Sequence, residues 1–185
     1  AHIKAYQLIH SIRTERKFPE ETMVGFAHHL AYFEAGGRGP GHLVASLGKK
    51  IQSYLFHTIF SRGMIEGRLA FPLGICTTRP KDKKQFCDFI GVNYYSRHVI
   101  SPSINPLKLF GTVGFDPKVP AERKNDIGWE IYPEGLYTVC KKCWDTYRLP
   151  IYITENGIPD AHDKKRESFI REHLRQVRRL LDEGV

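Results

Sequence analysis

Tyr152-Ile153-Thr154-Glu155-Asn156-Gly157 puts an acidic side chain at the end of a short apolar run, just before a residue that turns easily. Pro150-Ile151-Tyr152-Ile153 reads as a buried β-strand, because a short run of β-branched and aromatic side chains suits a pleated, covered surface. Gly157 tolerates the positive φ of a sharp exit. Glu155 is therefore expected at the carboxyl end of a strand, the edge where parallel α/β folds, barrels above all, gather catalytic groups. Thr-Glu-Asn-Gly alone is also compatible with an ordinary carboxylate beside a turn. The rest of the chain has to decide.

Outward from this segment, helical and extended patterns alternate, which predicts βα units around a parallel sheet. Ile3 to Arg16 reads as a helix with apolar positions Ala5, Leu8, Ile9 and Ile12, and Thr22 to Leu30 as a strand. Leu43 to Phe60 is predicted as a helix that turns Leu47, Ile51, Tyr54, Leu55 and Ile59 inward, followed by a strand over Phe86 to Tyr95. Residues 96–128 contain Pro102, Pro106, Pro117, Pro120 and several glycines, and are expected to form a long irregular connection of the kind that is usually functional or mobile. Pro133 suits the first position of a helix running to about Tyr147, where its missing N–H costs nothing. Asp163 is expected to cap a last helix carrying Phe169, Ile170, Leu174, Val177, Leu180 and Leu181 at the helical period, with Gly184 as its stop.

Three segments in order, Asp88-Phe89-Ile90-Gly91-Val92-Asn93-Tyr94-Tyr95, Gly128-Trp129-Glu130-Ile131-Tyr132-Pro133-Glu134-Gly135-Leu136 and Ile151 to Gly157, resemble glycoside hydrolase family 1, the β-glucosidase and 6-phospho-β-glucosidase family. The likeness extends more weakly through Ala1 to Phe33 and Asp163 to Val185. It implies an α/β fold that is part of a (β/α)8 TIM barrel, with about three parallel strands and four main helices, from the barrel's fourth helix to its seventh. It also implies a retaining β-glycosidase, in which one carboxylate attacks the anomeric carbon and a second gives and then takes a proton. Glu155 matches the family's nucleophile and Tyr95 the tyrosine that hydrogen-bonds it. Asn93 matches the asparagine beside that tyrosine on the same strand, and Trp129 the tryptophan lining the aglycone side of the cleft. The implied ligand is a β-glycoside, with no cofactor and no metal.

The family's acid/base lies in an Asn-Glu-Pro motif at the end of the fourth strand, and no Asn-Glu-Pro occurs in these 185 residues. The resemblance sets Ala1 to Tyr6 on the helix after that strand and Asp182 to Val185 at the approach to the eighth, whose Trp and Glu hold distal sugar hydroxyls. The expectation is an incomplete barrel domain, residues 1–185, lacking the acid/base and inactive alone. Its open sheet edges would seek the remainder of the barrel or a second copy. A noncatalytic carbohydrate-binding or scaffold half-barrel is the alternative. Glucoside against galactoside preference, and phosphorylated against free sugar, are not legible here.

With 41% apolar residues and no apolar run long enough to span a bilayer, a membrane role is not expected. Ala1 to Phe18 lacks the apolar core of a signal peptide, and the cysteines read as those of a reduced, cytoplasmic protein. Cys140 and Cys143 share a helical stripe with Leu136, Val139, Trp144 and Tyr147 and read as core positions, and Cys76 and Cys87 add no metal-site spacing. A net charge of +8 invites a nucleic-acid partner, but Arg171, Arg175, Arg178 and Arg179 share their helix with Glu167, Glu172, Asp182 and Glu183. No base-stacking motif accompanies them, so a solvated helix face is the reading and nucleic acid is not expected. Of His28 and His29, alternation sends at most one into the barrel. Glu34 is expected in packing or a loop hydrogen bond, because the family's acid lies on a different strand.

Overall fold

The computed structural model describes residues 1–74, 85–108 and 110–185, so Cys76 lies outside the described residues. Three short strands, β1 (Gly25–His29), β3 (Phe89–Asn93) and β6 (Ile151–Glu155), pair in parallel in the order β1-β3-β6. Period-two alternation divides β3 between two environments. Ile90, Val92 and, just beyond the strand, Tyr94 are buried against the helices, while Asn93 is only half-buried.

The helices on that side are α1 (His2–Glu15), α3 (Ile59–Ser61) with the turn after it, α4 (Pro133–Tyr147) and α5 (Arg166–Asp182), while α2 (Pro40–Ser53) packs instead against Tyr32–Ala35 and Arg97–Pro102. Leu136, Val139, Cys140 and Cys143 of α4 enter one core with Ile90, Val92, Tyr94, Ile65, Leu149 and Leu180. The cysteines sit where the helical stripe predicts, and burial raises the Cys140 thiol to about 12 and the Cys143 thiol to about 11. Both are therefore protonated, inert packing groups.

One contact makes this packing intolerant of a methyl group. Tyr94 is fully buried, its hydroxyl donates to the Tyr132 carbonyl at 2.6 Å, and a Cβ on Gly135 would lie 1.9 Å from that hydroxyl oxygen. Alanine at a helix interior ordinarily gains roughly 0.8–1.0 kcal/mol over glycine, whereas overpacking a filled core costs about 1–3 kcal/mol. Gly135→Ala is thus expected to destabilise the chain, read as a lower urea midpoint. A midpoint at or above the parent's would show that Tyr94 can yield.

Residues 96–128 depart from the irregular connection expected of them. β4 (Arg97–Pro102) and β5 (Gly111–Gly114) form a hairpin, and β4 also pairs in parallel with β2 (Tyr32–Ala35), giving a second sheet of order β2-β4-β5. The four prolines misled because Pro102 ends β4, and Pro106, Pro117 and Pro120 fall outside the strands. This sheet caps the carboxyl ends of the first, since β2 follows β1 and β4 follows β3 after short breaks.

Tyr6 and His10 of α1 both bond Asp88 at 2.7 Å, while Leu8, Ile9 and Ile12 of that helix are exposed. Three smaller expectations are corrected. Leu47 of α2 is 46% exposed, because the small residues Ala45 and Gly48 face inward, Gly48 against Ile100 and Phe110. Beyond Ser53 the helix winds into two π-turns, Tyr54–Thr58 and Arg62–Glu66, on either side of α3. Asp163 does not cap α5: it has φ +53° and its carboxylate accepts from Arg166 Nε at 2.6 Å. Asp160 serves the first turn instead, accepting from the N–H groups of Lys165 at 2.6 Å and Arg166 at 3.0 Å.

Candidate active site at the strand ends

Glu155 is the last residue of β6, and a pairing irregularity decides where it stands. β3 and β6 pair Val92 with Ile153 and then Asn93 with Glu155, skipping Thr154. Such an extra residue bends a strand end and re-aims the side chain that follows. The skipped Thr154 hydroxyl donates to Asn93 Oδ1 at 2.5 Å, and the Tyr94 N–H donates to the Glu155 carbonyl at 2.9 Å. Asn156 Nδ2 donates to the Tyr94 carbonyl at 2.8 Å and fixes the turn after Glu155. Gly157 is not among the positive-φ glycines, so the exit is made by this side-chain bond rather than by a left-handed residue.

The Tyr95 hydroxyl donates to Glu155 Oε2. That hydrogen bond, assisted by desolvation and by the carboxylate's charge, raises Tyr95 above its ordinary value, so the phenol remains a donor through neutral and mildly alkaline pH. Glu155 itself is exposed, as are Thr154 and Asn156, so the site is an open surface at the strand ends. Trp129 comes to the same place from the loop before α4, its ring edge-on to Tyr95 at 6.2 Å between centroids and stacked against Phe115 at 6.2 Å. The structure thus brings all four residues singled out in the sequence to one strand end: Glu155 and Tyr95 directly bonded, Asn93 paired opposite Glu155, and Trp129 across Tyr95.

Of the neighbours, His28, His29 and Glu34 were weighed in the sequence and Arg97 was not. His29 ends β1 opposite Asn93 and packs edge-on to Tyr95 at 5.6 Å and Phe56 at 5.7 Å. Burial lowers its pKa while the charge of Glu155 opposes the shift. His28 turns the other way, its Nε2 against the Phe56 carbonyl at 3.1 Å. Arg97 grips Glu130 with two bonds, Nε–Oε2 at 2.8 Å and Nη2–Oε1 at 2.7 Å, and reaches Glu34 Oε2 with Nη1 at 2.5 Å. Glu34 therefore has the packing role expected of it. The continuing spacing of two from Asn93 through Tyr95 to Arg97 was the available signal for Arg97. Among the described residues, no cluster of three or more His, Cys, Asp or Glu could hold a metal ion, and no helix is long and apolar enough to cross a membrane.

The sequence profile of glycosyl hydrolase family 1 matches residues 64–185. A β-galactosidase of Sulfolobus acidocaldarius is 41% identical over 110 residues, covering 57% of this chain and 22% of that protein. A β-glucosidase A of Thermotoga maritima is 36% identical over 116 residues, covering 53% of this chain and 23% of that protein. Among solved structures, a β-glycosidase from Pyrococcus horikoshii superposes with a TM-score of 0.79 at 30% identity over 99% of this chain, and the match spans 39% of the larger protein. The parallel sheet and its helices are a section of the (β/α)8 barrel expected from the sequence.

Proposed function

The chain belongs to glycosyl hydrolase family 1, and from that premise we propose that it forms the nucleophile-bearing section of a retaining β-glycosidase acting on β-glucosides or related β-glycosides. The observation that carries this reading is the Tyr95 hydroxyl bonded to Glu155 at a carboxyl-terminal strand end, beside Asn93 and Trp129. Glu155 attacks the anomeric carbon and forms a glycosyl-enzyme ester while an acid protonates the departing oxygen. Water, deprotonated by the same group, then cleaves the ester. Tyr95 holds Glu155 in one rotamer, Asn93 offers its amide to a sugar hydroxyl, and Trp129 gives the leaving group a flat apolar wall.

The second carboxylate of such a pair stands about 5–5.5 Å from the nucleophile. Glu34 and Glu130 are both engaged by Arg97, so the proton donor is assigned to barrel strands outside these residues. The remaining edges of β1 and β6 are assigned the same partner, with a second copy of the chain as the other occupant. A cytoplasmic, reducing setting agrees with the free thiols of Cys87, Cys140 and Cys143.

These 185 residues alone are expected not to release an aryl leaving group from a β-glucoside at a measurable rate, because acid–base assistance alone is worth about 10²–10⁴-fold. Adding the complementary strands is expected to restore turnover. Robust hydrolysis by a preparation shown by mass to hold this chain alone would overturn the division of labour.

A further inference from the structure

The ring of Trp129 is set by a mechanism that begins on the second sheet. Its main chain is held twice by Asn125, whose Oδ1 accepts from the Trp129 N–H at 2.8 Å and whose N–H donates to the Trp129 carbonyl at 2.9 Å. The next residue, Glu130, is 8% exposed, and both carboxylate oxygens are taken by Arg97. Its carbonyl accepts from the buried Ser96 hydroxyl at 2.8 Å. Neighbouring residues of an extended segment point opposite ways, so seating Glu130 inward turns Trp129 outward, onto Tyr95 and Phe115. Arg97 is itself anchored, by Glu34 of β2 on one side and by the face of the Tyr132 ring, 4.4 Å away, on the other. Burial alone would lower its pKa, but the bonds to Glu130 and Glu34 more than offset this, and it stays a fixed cation.

We propose that Arg97 is a positioning residue for the leaving-group side of the cleft: its grip on Glu130 fixes the ring of Trp129 between Tyr95 and Phe115. The assignment of that ring to the leaving group rests on the function proposed above; the positioning does not. A planar fork is needed to hold two carboxylate oxygens at once, and lysine cannot substitute for it.

The chain has two tryptophans, so in a Trp144→Phe background all indole fluorescence reports on Trp129, and in a Trp129→Phe background on Trp144. Arg97→Lys is expected to raise the acrylamide quenching constant of Trp129 roughly twofold, as a rigid fork gives way to a flexible point charge, with Trp144 unchanged. Ser96→Ala is expected to act in the same direction more weakly, and it decides the matter if Arg97→Lys does not fold. Glu34→Gln, which leaves Glu130 gripped, is expected to leave Trp129 unchanged. Unaltered Trp129 quenching in folded Arg97→Lys and Ser96→Ala chains, or equal changes at both tryptophans, would overturn the proposal. In the enzyme completed with the other barrel strands, Arg97→Lys is expected to raise KM for an aryl β-glycoside with little effect on a methyl β-glycoside. Equal effects on the two substrates, with the fluorescence change intact, would uphold the positioning and count against the leaving-group reading of Trp129.

Discussion

Glu155→Gln is expected to cut β-glycosidase turnover by about 10⁴-fold or more in the enzyme assembled from this chain and the remaining barrel strands, the scale on which removing a nucleophile acts in a covalent mechanism. Glutamine keeps the side chain's shape and an oxygen for Tyr95 to bond, so the loss reports on chemistry rather than folding. Glu34→Gln is the control, since that carboxylate is spent on Arg97 and stands on the second sheet. A second readout needs no catalysis. The hydrogen bond to the Glu155 carboxylate is the largest cause of the raised Tyr95 pKa, so Glu155→Gln should let Tyr95 ionise at lower pH, visible as tyrosinate absorbance missing from a matched Tyr95→Phe chain. Near-normal turnover in the Glu155→Gln enzyme would remove Glu155 from the mechanism.

Tyr95→Phe is expected to have the next largest effect. The ring and its edge contacts with His29 and Trp129 remain, and only the donor to Glu155 is lost. A hydrogen bond to a charged group is worth about 1.5–3 kcal/mol, and the exposure of Glu155 favours the lower end. That is roughly a tenfold loss if it falls wholly on the barrier. The loss should appear in kcat more than in KM, because the bond holds the nucleophile rather than the sugar. An unchanged kcat in a folded variant would make Tyr95 a packing residue.

The sequence disclosed most where one physical rule governed many residues. Alternation and helical period gave the strand around Ile90 and Val92, the α4 stripe of Leu136, Val139, Cys140 and Cys143, and the parallel arrangement, because burial enforces those periods. It disclosed least where pairing partners are remote. β4 pairs with β5 and also with Tyr32–Ala35, more than sixty positions before Arg97, and no local pattern in a proline-rich stretch announces that. At the site, motif resemblance singled out Glu155, Tyr95, Asn93 and Trp129, and the structure gathers them. The geometry joining them was not legible, since it depends on the skipped Thr154 and on the Asn156 bond to the Tyr94 carbonyl. Arg97 went unremarked because it acts through a neighbour rather than through a motif of its own.

The central claim is that Glu155 forms the covalent bond to the sugar, and trapping that bond tests it most directly. A 2-deoxy-2-fluoro glycoside with a good leaving group slows both steps, and the better leaving group lets the first outrun the second, so the glycosyl-enzyme accumulates. The assembled enzyme is treated with it, digested, and its peptides are weighed and fragmented. The account predicts one sugar, attached as an ester to Glu155 in the peptide containing Tyr152 to Gly157. A sugar on any other carboxylate, or an active enzyme that is inactivated by the reagent with the Glu155 peptide unmodified, would contradict it.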